Sequence, residues 1–382
     1  MASEAEVRYK VFAGPSGNSE YFISVTPGAG KNPAGQAAAV AAGYRRALKE
    51  LSLEPGSAVF RRAFMRAGAG LPALRKAALP AASGEGPVAV SAVVQPPLPG
   101  GAAALLAYHV QGRTLPRKRR LGPGHVEVES EGLRHIWSTG LTGGPAAAAG
   151  RQTEKIFGEL ARALRRRGGS LADSCVRTWL YLPEIARSYS GMVRARGEIF
   201  RRHGLTRETH FISSTGIEGA PAARPRRLGL DAYSAVGLRP GQVSYLNDLS
   251  RLCPAADYNV TFERGTRITY ADRDHFYISG TASIDREGGI LYPGDALKQL
   301  KRTVGNISAL LRSGGGRLED LMYLIIYLRR PADLPRLKGY LGKKFPGLPL
   351  VTVKGAVCRP GWLVEAEGVA VARARRPGLP RF

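Results

Sequence analysis

Acidic residues are scarce in this 382-residue chain: 30 Asp and Glu stand against 56 Lys and Arg, a formal net charge of +26. Cysteine is scarcer still. The three present, Cys175, Cys253 and Cys358, are odd in number and widely spaced, which argues against a disulfide framework and for a reducing, cytoplasmic setting. No apolar run reaches the roughly 18 residues that a membrane span needs. The opening MASEAEVRYKVF has no basic segment followed by an apolar one and does not read as a secretory signal. The six histidines (His109, His125, His135, His203, His210 and His275) show no metal-ligand spacing. GAGKNPAG (28–35) has a Gly-Lys pair but neither the spacing of a phosphate-binding loop nor the following Ser or Thr. A GxSxG elbow is missing too. No metal and no cofactor are expected.

Hydrophobic residues make up 44% of the chain, enough for a sizeable core, and the length suits one large domain or two to three small ones. The positive charge has two readings. One is an anionic partner, nucleic acid or an acidic small molecule. The other is composition: Arg far outnumbers Lys, and Ala, Gly and Pro, which also have GC-rich codons, are abundant. The basic residues form short scattered clusters (117–120, 165–167, 224–227) without interleaved aromatics, so no nucleic-acid groove is read.

Within residues 1–130, PVAVSAVV (87–94) and AAALLAYHV (102–110) have the look of strands. The polar, basic segment 111–125, with Pro116 and Pro123, reads as a loop or linker. From residue 134 the chain repeats itself. One copy runs HIWSTG (135–140), a helix over 155–169 with Ile156, Leu160 and Leu164 on one face, the strand CVRTWLYL (175–182), a helix over 188–204 and the strand HFISSTG (210–216). The other runs HFYISGTASI (275–284), a helix over 295–315 with Asp295 as N-cap and glycines from Gly314 as its stop, LMYLIIYL (321–328), a shorter helix from Pro331, then LVTVKGAV (350–357) and WLVEAEGVAVA (362–372). LADSCVRTWLYL (171–182) lies over LEDLMYLIIYL (318–328). Such a strand–helix order predicts mixed sheets with helices on one face, and a duplicated module can form a cleft where copies meet.

ISGTASID (278–285), the helix face of Gln299, Thr303 and Asn306, the strand ending Tyr327, Leu328, Arg329, and RPGWLVEAEGVA (359–370) resemble the Rid (YjgF-like) family. The longer series resembles the chorismatases: TWLYL (178–182), Tyr189 to Arg196, SSTGIEG (213–219), GQVSYL (241–246), TFER (261–264), GTAS and CRPGWLVEAE. This second resemblance covers about 135–375. It implies an α+β chain of tandem Rid-like modules: an N-terminal α/β region over 1–130 as a degenerate module, a first module over 131–255, and a C-terminal module over 256–382 carrying the catalytic acid. It also implies a pseudo-trimer within one chain, hence a monomer, acting on the dianion chorismate with release of pyruvate, as a lyase or hydrolase of secondary metabolism.

By the same resemblance Glu365 matches the family's acid. Cys358 matches a cysteine of the members that make 3-hydroxybenzoate; members that make the dihydroxycyclohexadiene carboxylate have a small residue there. Tyr189, Arg196, Tyr245 and Arg264 match substrate-holding positions, although 245–260 departs from the family's run. Chemically, two carboxylates call for planar guanidinium forks, for which Arg196, Arg264 and Arg359 are candidates, and for phenol donors from Tyr189 and Tyr245. Protonating an enol ether needs an acid whose pKa burial has raised. Glu365 sits in an apolar strand, and alternation puts Glu367 on the same face, where it can push the pKa of Glu365 up. For Glu367 itself a solvated face, as on an edge strand, is expected. The charge of Arg359 is expected to favour a Cys358 thiolate, while Cys175 and Cys253 read as structural. Two other readings stay open: a Rid-type enamine/imine deaminase using Arg359, and a non-enzymatic basic protein that binds nucleic acid.

Overall fold

The computed structural model describes residues 4–382 except 16, 29–31, 68–83, 145–147, 225 and 259, so the Gly-Lys pair within 28–35 lies outside the described residues. Among the described residues, eighteen strands form three six-stranded sheets. The first sheet holds β1 (Glu6–Phe12), β2 (Ser19–Thr26), β3 (Ala58–Met65), β4 (Ala89–Val94) and β5 (Ala103–Gln111). The second holds β6 (Arg117–Gly122), β7 (His125–Ser130), β8 (Leu133–Thr142), β9 (Cys175–Leu182) and β10 (Ser213–Glu218). The short β11 (Ala220–Pro221) crosses to the first sheet, and β12 (Gly229–Val236) returns to the second. The third holds β13 (Val243–Tyr245), β14 (Gly265–Thr269), β15 (Arg273–Ala282), β16 (Leu321–Leu328), β17 (Leu350–Lys354) and β18 (Val364–Arg373). Six α-helices are described: α1 (Pro33–Glu50), α2 (Ala149–Arg165), α3 (Leu171–Ser174), α4 (Ile185–Arg202), α5 (Ala296–Ser313) and α6 (Leu334–Lys344).

The repeat read from sequence is the repeat seen. β9 and β16 occupy the strands expected at 175–182 and 321–328, and Asp295 caps α5 by accepting from Lys298 N at 3.0 Å. Strand alternation sorts each sheet into two faces. On β9, Leu180 and Leu182 pack with Ile156, Leu160 and Leu164 of α2, whereas Trp179 and Tyr181 join the central core that all three sheets share. β5 does the same: Leu105 and Ala107 face α1, while Leu106 and Tyr108 face the centre. The segment 111–125 is not merely a loop, as its composition suggested. Residues 117–122 form β6, which pairs antiparallel with β7. The misreading has a physical source: β6 is an edge strand with mostly exposed basic side chains, so it lacks the apolar alternation that betrays a strand.

The registers define a quasi-threefold correspondence. β3, β9 and β16 pair with β5, β12 and β18 across the same irregularity: Phe60 opposes Tyr108, Arg177 opposes Tyr233, and Tyr323 opposes Val369. Sheet edges meet in the same cyclic way, through Val93 with Pro221, Ile217 with Val357, and Val353 with Pro97. Stepping along these registers makes Glu367, Asp231 and Leu106 equivalent. Glu367 accepts from Trp179 Nε1 (2.7 Å), Thr215 and Tyr327. Asp231 accepts from Arg62, Ser91 and Tyr181 at the corresponding places. Leu106 lies among buried apolar residues of the shared core. At two of the three equivalent positions stands a buried, hydrogen-bonded carboxylate, and at the third an apolar side chain.

Candidate active site

Two residues before Glu367, Asp231 and Leu106 stand Glu365, Gly229 and Ala104, so a single member of the three carries an acid. At Gly229 a Cβ would overlap the ring of Pro221, and no side chain can project there. At Glu365 the space is kept open. β18 is a central strand that pairs Glu365 with Tyr327 on β16 and Ala282 on β15. Beside it Gly280 has no side chain, and a Cβ there would run into the Glu365 carboxyl.

The second sheet closes the other wall. Its edge strand β10 is fastened to the third sheet by Ser214 N donating to Ser279 Oγ (2.9 Å) and by the Ser213–Thr266 hydroxyl pair (2.7 Å). Between the two sheets lies a cleft. Of the residues singled out from sequence, Glu365, Cys358, Tyr189, Arg196 and Arg264 all line it.

Glu365 is 6% exposed. Burial first, and the negative charge of Glu367 second, push its carboxyl up to about 8; Arg177 and Arg264 pull the other way. It is therefore a protonated acid at neutral pH. Glu367 is not on a solvated face, as an edge strand would have allowed. β18 lies inside its sheet, and Glu367 is 1% exposed, held by Arg177 at 2.5 Å as well as by its three neutral donors. The guanidinium of Arg196, 2% exposed, is set by Thr261 Oγ1 (3.1 Å) and Ser214 Oγ (3.5 Å). That of Arg264, 3% exposed, donates twice to the Cys253 carbonyl (3.2 and 2.9 Å). Two fixed cations and one neutral acid thus face one cleft.

Cys358 does not become a thiolate through Arg359. Burial first, and then the charge of Glu365, push its thiol up to about 11, outweighing the hydrogen bond from Tyr189 and the charge of Arg359. Arg359 is turned away: it donates to the Gly288 carbonyl (2.8 Å) and lies 4.8 Å over the Trp362 ring, outside the lining of the cleft. Tyr245 also lies outside it, 37% exposed and stacked on His210 at 4.6 Å. Cys175 and Cys253 are buried. The sequence reading missed Thr215 and Ser214, which line the cleft, and Arg177, which ties Thr215 to Glu367. The signals were present, as hydroxyls in SSTG and as a charge inside the otherwise apolar CVRTWLYL. Among the described residues no cluster of three or more His, Cys, Asp or Glu could hold a metal ion, and no helix is long and apolar enough to cross a membrane.

No family model matches the chain. It is similar to a 3-hydroxybenzoate synthase of Streptomyces hygroscopicus, 27% identical over 227 residues, a span of 52% of this chain and 64% of that enzyme. Over shorter stretches it is similar to the 3-aminoacrylate deaminase RutC of Acinetobacter baylyi (29% identity, 25% of this chain, 76% of the relative) and to a RutC family protein of Pyrococcus abyssi (30%, 25% and 76%). The chain belongs to the RutC family, the Rid/YjgF-like proteins. The whole chain has the fold of a chorismatase crystal structure, with a TM-score of 0.62 over 97% of this chain and all of that one at 16% identity.

Proposed function

We propose that the protein converts chorismate, releasing pyruvate, with Glu365 as the general acid. The observation that carries this reading is a buried carboxyl, still protonated at neutral pH, facing the same cleft as two fixed guanidiniums. Chorismate carries two carboxylates and an enolpyruvyl ether. Arg196 and Arg264 each offer a carboxylate a charged donor, with Tyr189, Ser214 and Thr215 beside them. Glu365 gives its proton to the enol methylene, which leaves an oxocarbenium-like carbon at the ether. Attack by water there consumes one water and gives pyruvate and a dihydroxycyclohexadiene carboxylate. Attack by the ring's own hydroxyl on the ring carbon that bears the ether consumes none: that carbon–oxygen bond breaks, pyruvate leaves with the ether oxygen as its carbonyl, the ring is left as an epoxide-like intermediate, and pyruvate and a hydroxybenzoate together contain the atoms of chorismate.

The favoured product is 3-hydroxybenzoate, because Cys358 lies beside the acid. Its thiol is protonated in the resting cleft. Cys358 then assists the aromatising route as a nucleophile. The deaminase reading, with Arg359 as the key cation, is disfavoured by the bond of that guanidinium to Gly288 outside the cleft.

Incubation with chorismate and an assay for pyruvate tests the reading. Wild type is expected to release it and Glu365→Gln to lose at least about 100-fold in rate, the scale of general acid catalysis. A folded wild type that leaves chorismate intact would overturn the proposal. Cys358→Ala is expected to keep pyruvate release but shift product from the aromatic acid to the diol, seen by chromatography. An unchanged product ratio would remove Cys358 from the mechanism.

A further inference from the structure

The cleft is the smaller of two adjoining spaces. Around Glu365 the free room is ≈ 30 Å³, enough for a water or two and far short of a molecule with a ring and two carboxylates. Next to it lies an outer pocket of ≈ 290 Å³ with Thr206, Asn247 and Pro254 in its walls. Arg207 and Asp257, an exposed ion pair, also line it. Cleft and outer pocket have two walls in common, the side chains of Phe262 and Arg264.

Those two walls are held differently. Arg264 is 3% exposed and fixed by its two bonds to the Cys253 carbonyl. Phe262 is half-buried, and it joins none of the three apolar cores found among the described residues. The Arg264 guanidinium lies 5.5 Å over its ring, near the outer limit of a cation–π contact. The chain on either side is pinned. Thr261 Oγ1 accepts from Arg196 Nε (3.1 Å). Glu263 N donates to the Ile212 carbonyl (3.3 Å), and the Glu263 carbonyl accepts from Ser279 Oγ (2.6 Å). A loosely held ring on a fixed backbone, with free space behind it, can change rotamer while the loop stays in place.

We propose that Phe262 is the gate of the cleft: its ring turns into the outer pocket, and the place it leaves beside Glu365 receives the substrate. The outer pocket has the room that the cleft lacks. Because the Arg264 guanidinium lies over the same ring, the turn also bares that cation to an incoming carboxylate. Apparent affinity is then set by the fraction of molecules whose ring has turned. The identity of the substrate rests on the reading of Glu365 above; the turn of the ring does not.

The test fills the recess. Thr206 lines the outer pocket and not the cleft. Thr206→Trp is expected to raise KM for chorismate at least about ten-fold with kcat within about two-fold, because only the competent fraction changes. In the Phe262→Ala background the same substitution is expected to change KM by less than about two-fold, since no ring then needs the recess. Circular dichroism reports that each variant is folded. A wild-type KM in Thr206→Trp, or the same rise in both backgrounds, would overturn the proposal. Fluorine relaxation dispersion of 4-fluorophenylalanine placed at position 262 reads the turn without substrate: dispersion in the unliganded protein supports the gate, and its absence overturns it. A folded wild type that leaves chorismate intact while the label shows dispersion would sink the reading of Glu365 and keep the gate.

Discussion

Glu365 owes its acidity to what surrounds it. Its carboxyl sits near 8 because burial penalises the anion and Glu367 repels it. As an acid it works only while protonated, so pyruvate release is expected to fall as pH rises through about 8, with the flank visible in a pH–rate profile. Stability follows the same proton. The folded pKa lies above the ordinary value of 4.5, so this stabilisation is complete below about 4.5 and is lost as pH rises through about 8. Glu365→Gln removes that loss, and its melting temperature at pH 9 is expected to exceed that of wild type. Gly280 is the residue that leaves room for this carboxyl. Gly280→Ala places a methyl against Glu365 and within 3.1 Å of Thr215 Cγ2. We expect at least a 100-fold loss of pyruvate release, with circular dichroism near that of wild type.

The elements act through their junctions. β9 lends Arg177 and Trp179 to a carboxylate on β18, so the second and third sheets share one buried ion pair. Removing one partner of such a pair leaves a charge unmatched and costs about 3–5 kcal/mol. Arg177→Met is expected to destabilise by that amount in denaturant unfolding. Glu367→Gln/Arg177→Met together should recover much of it, because no charge is then stranded. The segment between β10 and β12 shows how an element can also withhold function: Pro221 fills the place into which a side chain at Gly229 would project, whereas beside Glu365 the space is open.

At the scale of the molecule, three similar sheets are held around one line by dissimilar contacts. The clearest is Glu20, 0% exposed, with Arg273, also 0% exposed, bridging the first and third sheets. Although burial opposes it, His275 and then Arg273 hold Glu20 down to about 2. Its contribution is present above the ordinary value of 4.5 and disappears as pH falls toward 2. Glu20→Gln is expected to lose about 3–5 kcal/mol at pH 7 and to show a flatter stability profile between pH 5 and 2, measured by urea unfolding across that range.

The sequence by itself determined the modules. Period-two and period-3.6 patterns around Leu160, Leu180, Leu324 and Leu310 are local consequences of which side of a strand or helix meets the core, and they were legible, as was the carboxylate at 365 in an apolar strand. What only the tertiary structure decided is which of three equivalent junctions opens into a cleft, and which charged residues meet there. Whether Glu367 faces water or Arg177, whether Arg359 reaches the cleft or Gly288, and whether β6 is a strand or a loop all depend on partners far away in the chain. Pairing and burial are properties of neighbours in space, and a window of sequence does not contain them.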